Sequence, residues 1–252
     1  MAGDMRLIPV TGLPAVQPGD DLAELVLAHL SEPVHDGDVF VIAQKIVSRA
    51  ENRLRFLPDV QPSARALALA PEAQKDARLV EVILADSTEV LRLRQGVFIV
   101  EQRNGFVCAN AGVDRSNVPP GNGQMVALLP VDADASADRF VEGVLRHTQR
   151  TVGAIVNDSH GRAWREGSVG VAIGVSGLPA LKDERGRHDL YGYELQTSII
   201  GWADEVASAA SLLMGQSDQG VPVVLIRGLE RPAGPNGSFR DLLRPKQKDL
   251  FR

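Results

Sequence analysis

The chain has 252 residues, with 27 Lys plus Arg against 32 Asp plus Glu and a formal charge of −5. That length buries a sizeable core without disulfides or structural metals, and the acidic balance opposes nonspecific attraction to nucleic acid or to an anionic membrane surface. Aromatic residues are only 4% of the chain, which leaves little for base-stacking platforms, and the single cysteine, Cys108, excludes an intrachain disulfide and any multi-cysteine zinc site.

In chain order, MAGDMRLIPV lacks the basic-then-apolar pattern of a signal peptide. Asp20 to Leu30 reads as a helix, with an N-terminal Asp pair and Leu22, Leu25, Val26 and Leu30 at helical spacing. Val39 to Val47 reads as a strand, and Ala64 to Leu84 as one or two Ala-rich helices. Strands follow at Val97 to Val100, Phe106 to Ala109 and Met125 to Leu129, the last preceded by a Pro- and Gly-rich loop from Pro119 to Gln124. Ala137 to Thr148 reads as a helix, Gly153 to Val156 and Val169 to Val175 as strands. Glu194 to Met214 carries an apolar helical stripe stopped by Gly215, and Val221 to Ile226 is a final strand. Ser238 to Arg252 fits either a terminal helix or a loosely held tail. The longest uncharged, mostly apolar run, Val169 to Leu181, is short of the roughly 20 residues of a membrane span. A soluble, cytoplasmic protein is expected. Strands cluster without strict alternation with helices, so the expected class is α+β, with mixed sheets and packed helices rather than a doubly wound parallel sheet.

No P-loop or G-x-G-x-x-G signature occurs, so the chain either binds no nucleotide or uses an unusual site. In FVCANAGVDRSNVPPG an apolar strand runs into Asn110, Asp114, Ser116 and Asn117; in GAIVNDSHGRAWREG another runs into Asn157, Asp158, Ser159, His160, Arg162 and Arg165. Each Asp alone is an ordinary turn former or cap. Together they supply hard oxygen ligands for Mg²⁺ or Mn²⁺ bridging phosphates, with arginines nearby to offset negative charge. The Gly215, Gln216, Ser217, Asp218 loop offers backbone amides and an amide carbonyl to a phosphate or metal, or is a plain connection. His160 reads as a proton shuttle, a phosphate contact or a solvated loop histidine, and Cys108 as a small buried hydrophobe.

Taken in order, VTGLPAVQPGDDLAEL, VFVIAQKIVSRAENR, VCANAGVDRSNV, LLPVDADASA, AIVNDSHGRAWREG, VAIGVSGLPALKDERGRHDLYGYEL and ADEVASAASLLMGQ resemble the coenzyme F420:glutamate ligase family from about Leu7 to Leu229. The resemblance implies a two-lobed α+β ligase unit that forms a homodimer, without the nitroreductase-like domain that some members carry. It implies addition of L-glutamate to the deazaflavin F420 precursor through γ-linked amide bonds, with GTP as co-substrate, Mg²⁺ or Mn²⁺, and K⁺ as a further cation. Carried onto this chain, Asp114, Asp158, Ser159 and Gln216 become metal ligands. GTP contacts fall to Thr11, Gly12, Leu13 and Pro14, to Gln44, Lys45 and Arg49, to Asn117, and to Met214, Gly215, Gln216, Ser217, Asp218, Gln219, Gly220 and Val221. Asp114, Asp158 and Arg162 take the catalytic role. Relatives often have Lys at Arg49 and DTxGR where this chain has Asp158-Ser159-His160-Gly161-Arg162; Ser keeps the hydroxyl ligand, while Arg changes the donor geometry. The alternative is another metal- and nucleotide-dependent carboxylate–amine ligase, or a phosphotransferase acting on a different small acid.

Overall fold

A computed structural model describes residues 4–120 and 122–250. Met1 to Gly3, Gly121 of the Pro119 to Gln124 loop, and the last two residues of the C-terminal segment lie outside the described residues.

The elements run β1 (Arg6–Val10), α1 (Leu22–His29), β2 (Val39–Ala43), α2 (Gln44–Ala50), β3 (Leu54–Phe56), α3 (Ala64–Ala73), α4 (Ala77–Ala85), β4 (Ser87–Arg94), β5 (Val97–Gln102), β6 (Val107–Ala109), β7 (Met125–Ala127), α5 (Ala133–Thr148), β8 (Gly153–Arg162), β9 (Arg165–Ser176), β10 (Lys182–Asp183), β11 (Ile199–Ile200), α6 (Trp202–Met214) and β12 (Val223–Arg227). The fold is the mixed α+β arrangement expected. Its main sheet has the order β1-β12-β2-β8-β9; only β2 and β8 pair in parallel. The central strands are continuous apolar runs, VFVIA in β2 and VVLI in β12, because both faces of the sheet are covered. Phe40 in β2 meets Phe140 in α5 edge to face at 5.2 Å. A smaller antiparallel sheet, β4-β5-β6, packs with α3 and α4 around Val80, Ile83, Phe98 and Val100, and β3 pairs with β7.

Local chemistry sets several boundaries that periodicity misplaces. The Val39 to Val47 strand stops at Ala43, where Gln44 begins α2, so the AQKIVSR segment is helical. The Ala-rich stretch divides at Gln74, a left-handed C-cap, before Asp76 caps α4 by accepting from Arg78 N–H. α5 starts earlier than Ala137, since the Asp132 carboxylate accepts from Ala135 N–H at its N-cap. α6 starts later than Glu194: Ile199 and Ile200 pair with Asp183 and Lys182, and β pairing takes those residues from the helix. β4 is absent from the sequence reading because its charged residues break the apolar run. At the C-terminal end, Ser238 caps a short helical turn that seats Phe239 fully in the core.

Candidate functional site

The main sheet opens at one point. β2 pairs with β8 only as far as Ala43 opposite Asn157, because α2 then turns away, whereas β9 stays paired with β8 through Arg162 opposite Arg165. From Asp158 onward β8 therefore has a hydrogen-bonded neighbour on one edge only. Side chains alternate between faces along a strand, yet an open edge lets Asn157, Asp158 and Ser159 all reach one cleft. These polar residues lie within a long strand and not beyond its end, as the sequence reading had placed them. Asp114 is likewise held in extended structure, exchanging both backbone hydrogen bonds with Ala127.

The cleft has a volume of about 940 Å³. It brings together Asp114, Asp158, Ser159 and Gln216 with Leu13, Pro14, Gln44, Lys45, Arg49 and Asn117, and with Met214, Gly215, Ser217, Asp218, Gly220 and Val221. Thr11, Gly12, Gln219 and Arg162 do not line it. Arg162 sits near the tip of the β8–β9 hairpin, its guanidinium donating to the Gly167 carbonyl at 3.0 Å. Gln219 folds back on its own loop instead, its side-chain carbonyl accepting from Ser217 N–H at 2.9 Å.

Residues far apart in the chain meet here. The Lys45 ammonium donates to Asp114 Oδ2 at 2.7 Å and lies 2.9 Å from Ser116 Oγ. Burial pushes the Asp114 carboxyl up, but the Lys45 ammonium together with the Ser116 N–H and hydroxyl outweighs it, and the carboxyl ends below its ordinary value. The Ser159 hydroxyl donates to Gln216 Oε1 at 2.7 Å, and Asn117 Nδ2 donates to the Ser217 carbonyl at 2.8 Å across the cleft. Gln216 owes its place to Gly215, which closes α6 at φ 64° and ψ −170°, a conformation that side-chain-bearing residues rarely adopt. Gln44 is almost fully buried, with its carbonyl oxygen accepting from the Ser48 hydroxyl at 2.9 Å.

Three polar lining residues were not singled out as ligands by their sequence context: Arg115, Ser116 and Asn157. Asn157 Nδ2 reaches Ser211 Oγ at 3.0 Å, while its Oδ1 is buried without a hydrogen-bond partner. The available signal was its position directly after the apolar run of β8. His160 is not a solvated loop residue: it lies in β8, its side chain 14% exposed, with Nε2 3.0 Å from Asp158 Oδ2. Cys108 is buried, and burial and then the negative charge of Asp158 push its thiol up to about 12, as befits an unreactive hydrophobe.

The lining carries three cations, Lys45, Arg49 and Arg115, against three carboxylates, Asp114, Asp158 and Asp218. Among the described residues no three His, Cys, Asp or Glu side chains group closely enough to hold a metal ion on their own. The four residues carried over as metal ligands, Asp114, Asp158, Ser159 and Gln216, offer two carboxylates, a hydroxyl and an amide carbonyl. Such a set suits a hard divalent cation only when water or a ligand's oxygens fill the remaining positions. Among the described residues no helix is long and apolar enough to cross a membrane.

Comparison with known proteins covers nearly the whole chain. A family model described as F420-0:Gamma-glutamyl ligase matches residues 12–228. The chain is 46% identical to the coenzyme F420:L-glutamate ligase of Methanothermobacter thermautotrophicus, covering 98% of this chain and 99% of that protein. It is 42% identical to the protein of the same name in Methanocaldococcus jannaschii over the full length of both, and 46% identical to that of Methanopyrus kandleri over 98% of each. With three separated polar segments gathered on one cleft and full-length similarity to these relatives, the chain belongs to the F420-0:gamma-glutamyl ligase family of enzymes.

Proposed function

We propose that this enzyme joins L-glutamate to a coenzyme F420 precursor through a γ-linked amide bond, with GTP as the activating co-substrate. A carboxylate is a poor electrophile, so the reaction needs an activated acyl group. In the proposed sequence a carboxylate oxygen of the precursor attacks the γ-phosphorus of GTP and GDP departs. The amine of glutamate then attacks the acyl carbon, inorganic phosphate leaves, and the amine proton passes to solvent or a nearby base.

The observation that supports this reading is the convergence of Asp114, Asp158, Ser159 and Gln216 on one cleft with Lys45 and Arg49. Their oxygen chemistry fits Mg²⁺ or Mn²⁺, which when bound would neutralise phosphate charge. Asp114 and Asp158 would hold the cation, with the Ser159 hydroxyl and the Gln216 carbonyl completing the protein's share. Ser159 already touches Gln216, and its hydroxyl proton would turn away for both oxygens to face a cation. Lys45 and Arg49 would meet phosphate oxygens, and Asn117 with the Met214 to Val221 loop would border the nucleotide. Arg162 is given no role in this reading, because its guanidinium donates to the Gly167 carbonyl and it lies outside the cleft lining.

Incubating the protein with GTP, Mn²⁺, glutamate and the deazaflavin precursor should add glutamyl mass increments to the precursor and release GDP. Asp114→Asn and Asp158→Asn should each lower the rate on the order of 100-fold or more while leaving the fold intact. Activity within a few-fold of wild type in both variants would sink the assignment. GTP turnover on another small acid, with no glutamyl increment, would point to a different carboxylate–amine ligase or a phosphotransferase.

A further inference from the structure

The two carboxylates proposed to hold the cation are themselves held in different ways. Asp114 is gripped from the cleft side by Lys45 and Ser116, both of which line the cavity. Asp158 is gripped from behind. Residues two apart in a strand share a face, so Asp158 and His160 project side by side from β8. His160 Nε2 lies 3.0 Å from Asp158 Oδ2; an ionised carboxylate can only accept, so Nε2 carries the proton. Both side chains are largely covered, at 14% and 15% exposure, yet only Asp158 lines the cleft.

The histidine is itself fixed from the far side. Phe106 meets its ring edge to face at 6.0 Å, and Phe106 stacks at 4.8 Å on Phe239, which is fully buried. A chain of contacts thus runs from the core through Phe239, Phe106 and His160 to Oδ2 of Asp158, a residue that itself lines the cleft.

We propose that His160 is a positioning residue for the cation-binding carboxylate: its Nε2–H holds Asp158 Oδ2 so that Asp158 meets a divalent cation in one orientation. The inference rests on the proposed function above. Partners behind a metal-binding carboxylate orient it and shape metal affinity without touching the metal.

The test is Mn²⁺ binding by the full-length protein, read from the free-Mn²⁺ electron paramagnetic resonance signal with no substrate present. His160→Phe keeps a ring against Phe106 but has no donor, whereas His160→Gln keeps a side-chain N–H. His160→Phe should weaken Mn²⁺ binding about tenfold or more, and His160→Gln should return it to within about threefold of wild type, with melting temperatures close to wild type throughout. In glutamylation assays the Mn²⁺ concentration for half-maximal rate should rise in His160→Phe while kcat at saturating Mn²⁺ stays near wild type. Asp158→Asn serves as the reference and should lose most Mn²⁺ affinity. If Asp158→Asn binds Mn²⁺ like wild type, the cation is not at Asp158 and the underlying reading falls. If Asp158→Asn loses binding but His160→Phe retains it, or if His160→Gln is as weak as His160→Phe, the positioning role is overturned. Should His160→Phe fail to fold, His160→Leu carries the same expectations.

Discussion

The two halves of β8 sit in one strand and do opposite work. From Gly153 to Val156 the strand lies between β2 and β9, every residue buried, and its side chains belong to the main core. From Asp158 to Arg162 it has lost β2, exposure rises towards the tip, and its side chains are Asp, Ser, His and Arg. The difference lies in the neighbour. Where a second strand closes the edge, apolar burial wins; where α2 peels away, the freed edge makes room for ligand-sized space lined by polar groups. The rigid half holds the reactive half in place, which is how a strand can present functional side chains more firmly than a loop.

Substitutions on each side of the junction can break that division. Ile155→Ala in the closed half removes a fully buried side chain and should cost about 2–5 kcal/mol of stability by denaturant unfolding, while the folded fraction keeps its Mn²⁺ affinity. A loss of Mn²⁺ affinity in well-folded protein would show that the halves are not separable.

Gly170 of β9 stands opposite Ser159 in the open half. A Cβ there would fall 2.1 Å from Ser211 Oγ and 2.7 Å from the Ala207 carbonyl, both on α6. Gly170→Ala should therefore push α6 outward, cost about 1–3 kcal/mol, and carry Gln216 away from Ser159. Weakened Mn²⁺ binding alongside the lower melting temperature is the expected pair of results; a stability loss with unchanged binding would detach Gln216 from the site.

The smallest effect is electrostatic. Because the Asp114 carboxyl lies below its ordinary 3.8 in the folded chain, its contribution to stability is present above that value and is lost as pH falls through the folded one. Lys45→Met removes the ammonium and leaves burial less opposed, so the Asp114 carboxyl should rise and acid unfolding should begin at higher pH. Asp114 is more than a third exposed, and solvent screening holds the neutral-pH cost to about 1 kcal/mol or less. Thermal melts of wild type and variant across the acid range would read the shift; superimposable acid limbs would mean that Lys45 does not hold Asp114.

Much of this was legible in the sequence because it is local. The apolar runs of β2, β8 and β12 announce buried strands, the stripe of α6 announces a packed helix, and an Asp following such a run marks where the chain turns from core to surface chemistry. The class of fold and the segments bearing Asp114, Asp158 and Gln216 follow from that kind of signal together with the family resemblance. Other features depend on pairing across long separations. Nothing near Glu194 indicates that the residues before α6 pair as strand with β10, and nothing near Gln44 shows that a strand-like apolar run turns helical there. Periodicity cannot reveal that Lys45 meets Asp114 69 positions away, or that Ser159 meets Gln216 57 positions away.

The acidic total shows the same division. Composition by itself determined that this chain repels polyanions at long range, because net charge sums over the whole sequence wherever the residues lie. Tertiary structure alone decided that the cleft is balanced, with three cations facing three carboxylates, because local potential depends on which side chains the fold brings within a few ångströms. It also decided that His160 stands behind Asp158 and not in solvent, since that contact exists only where β8 continues as strand after β2 has ended.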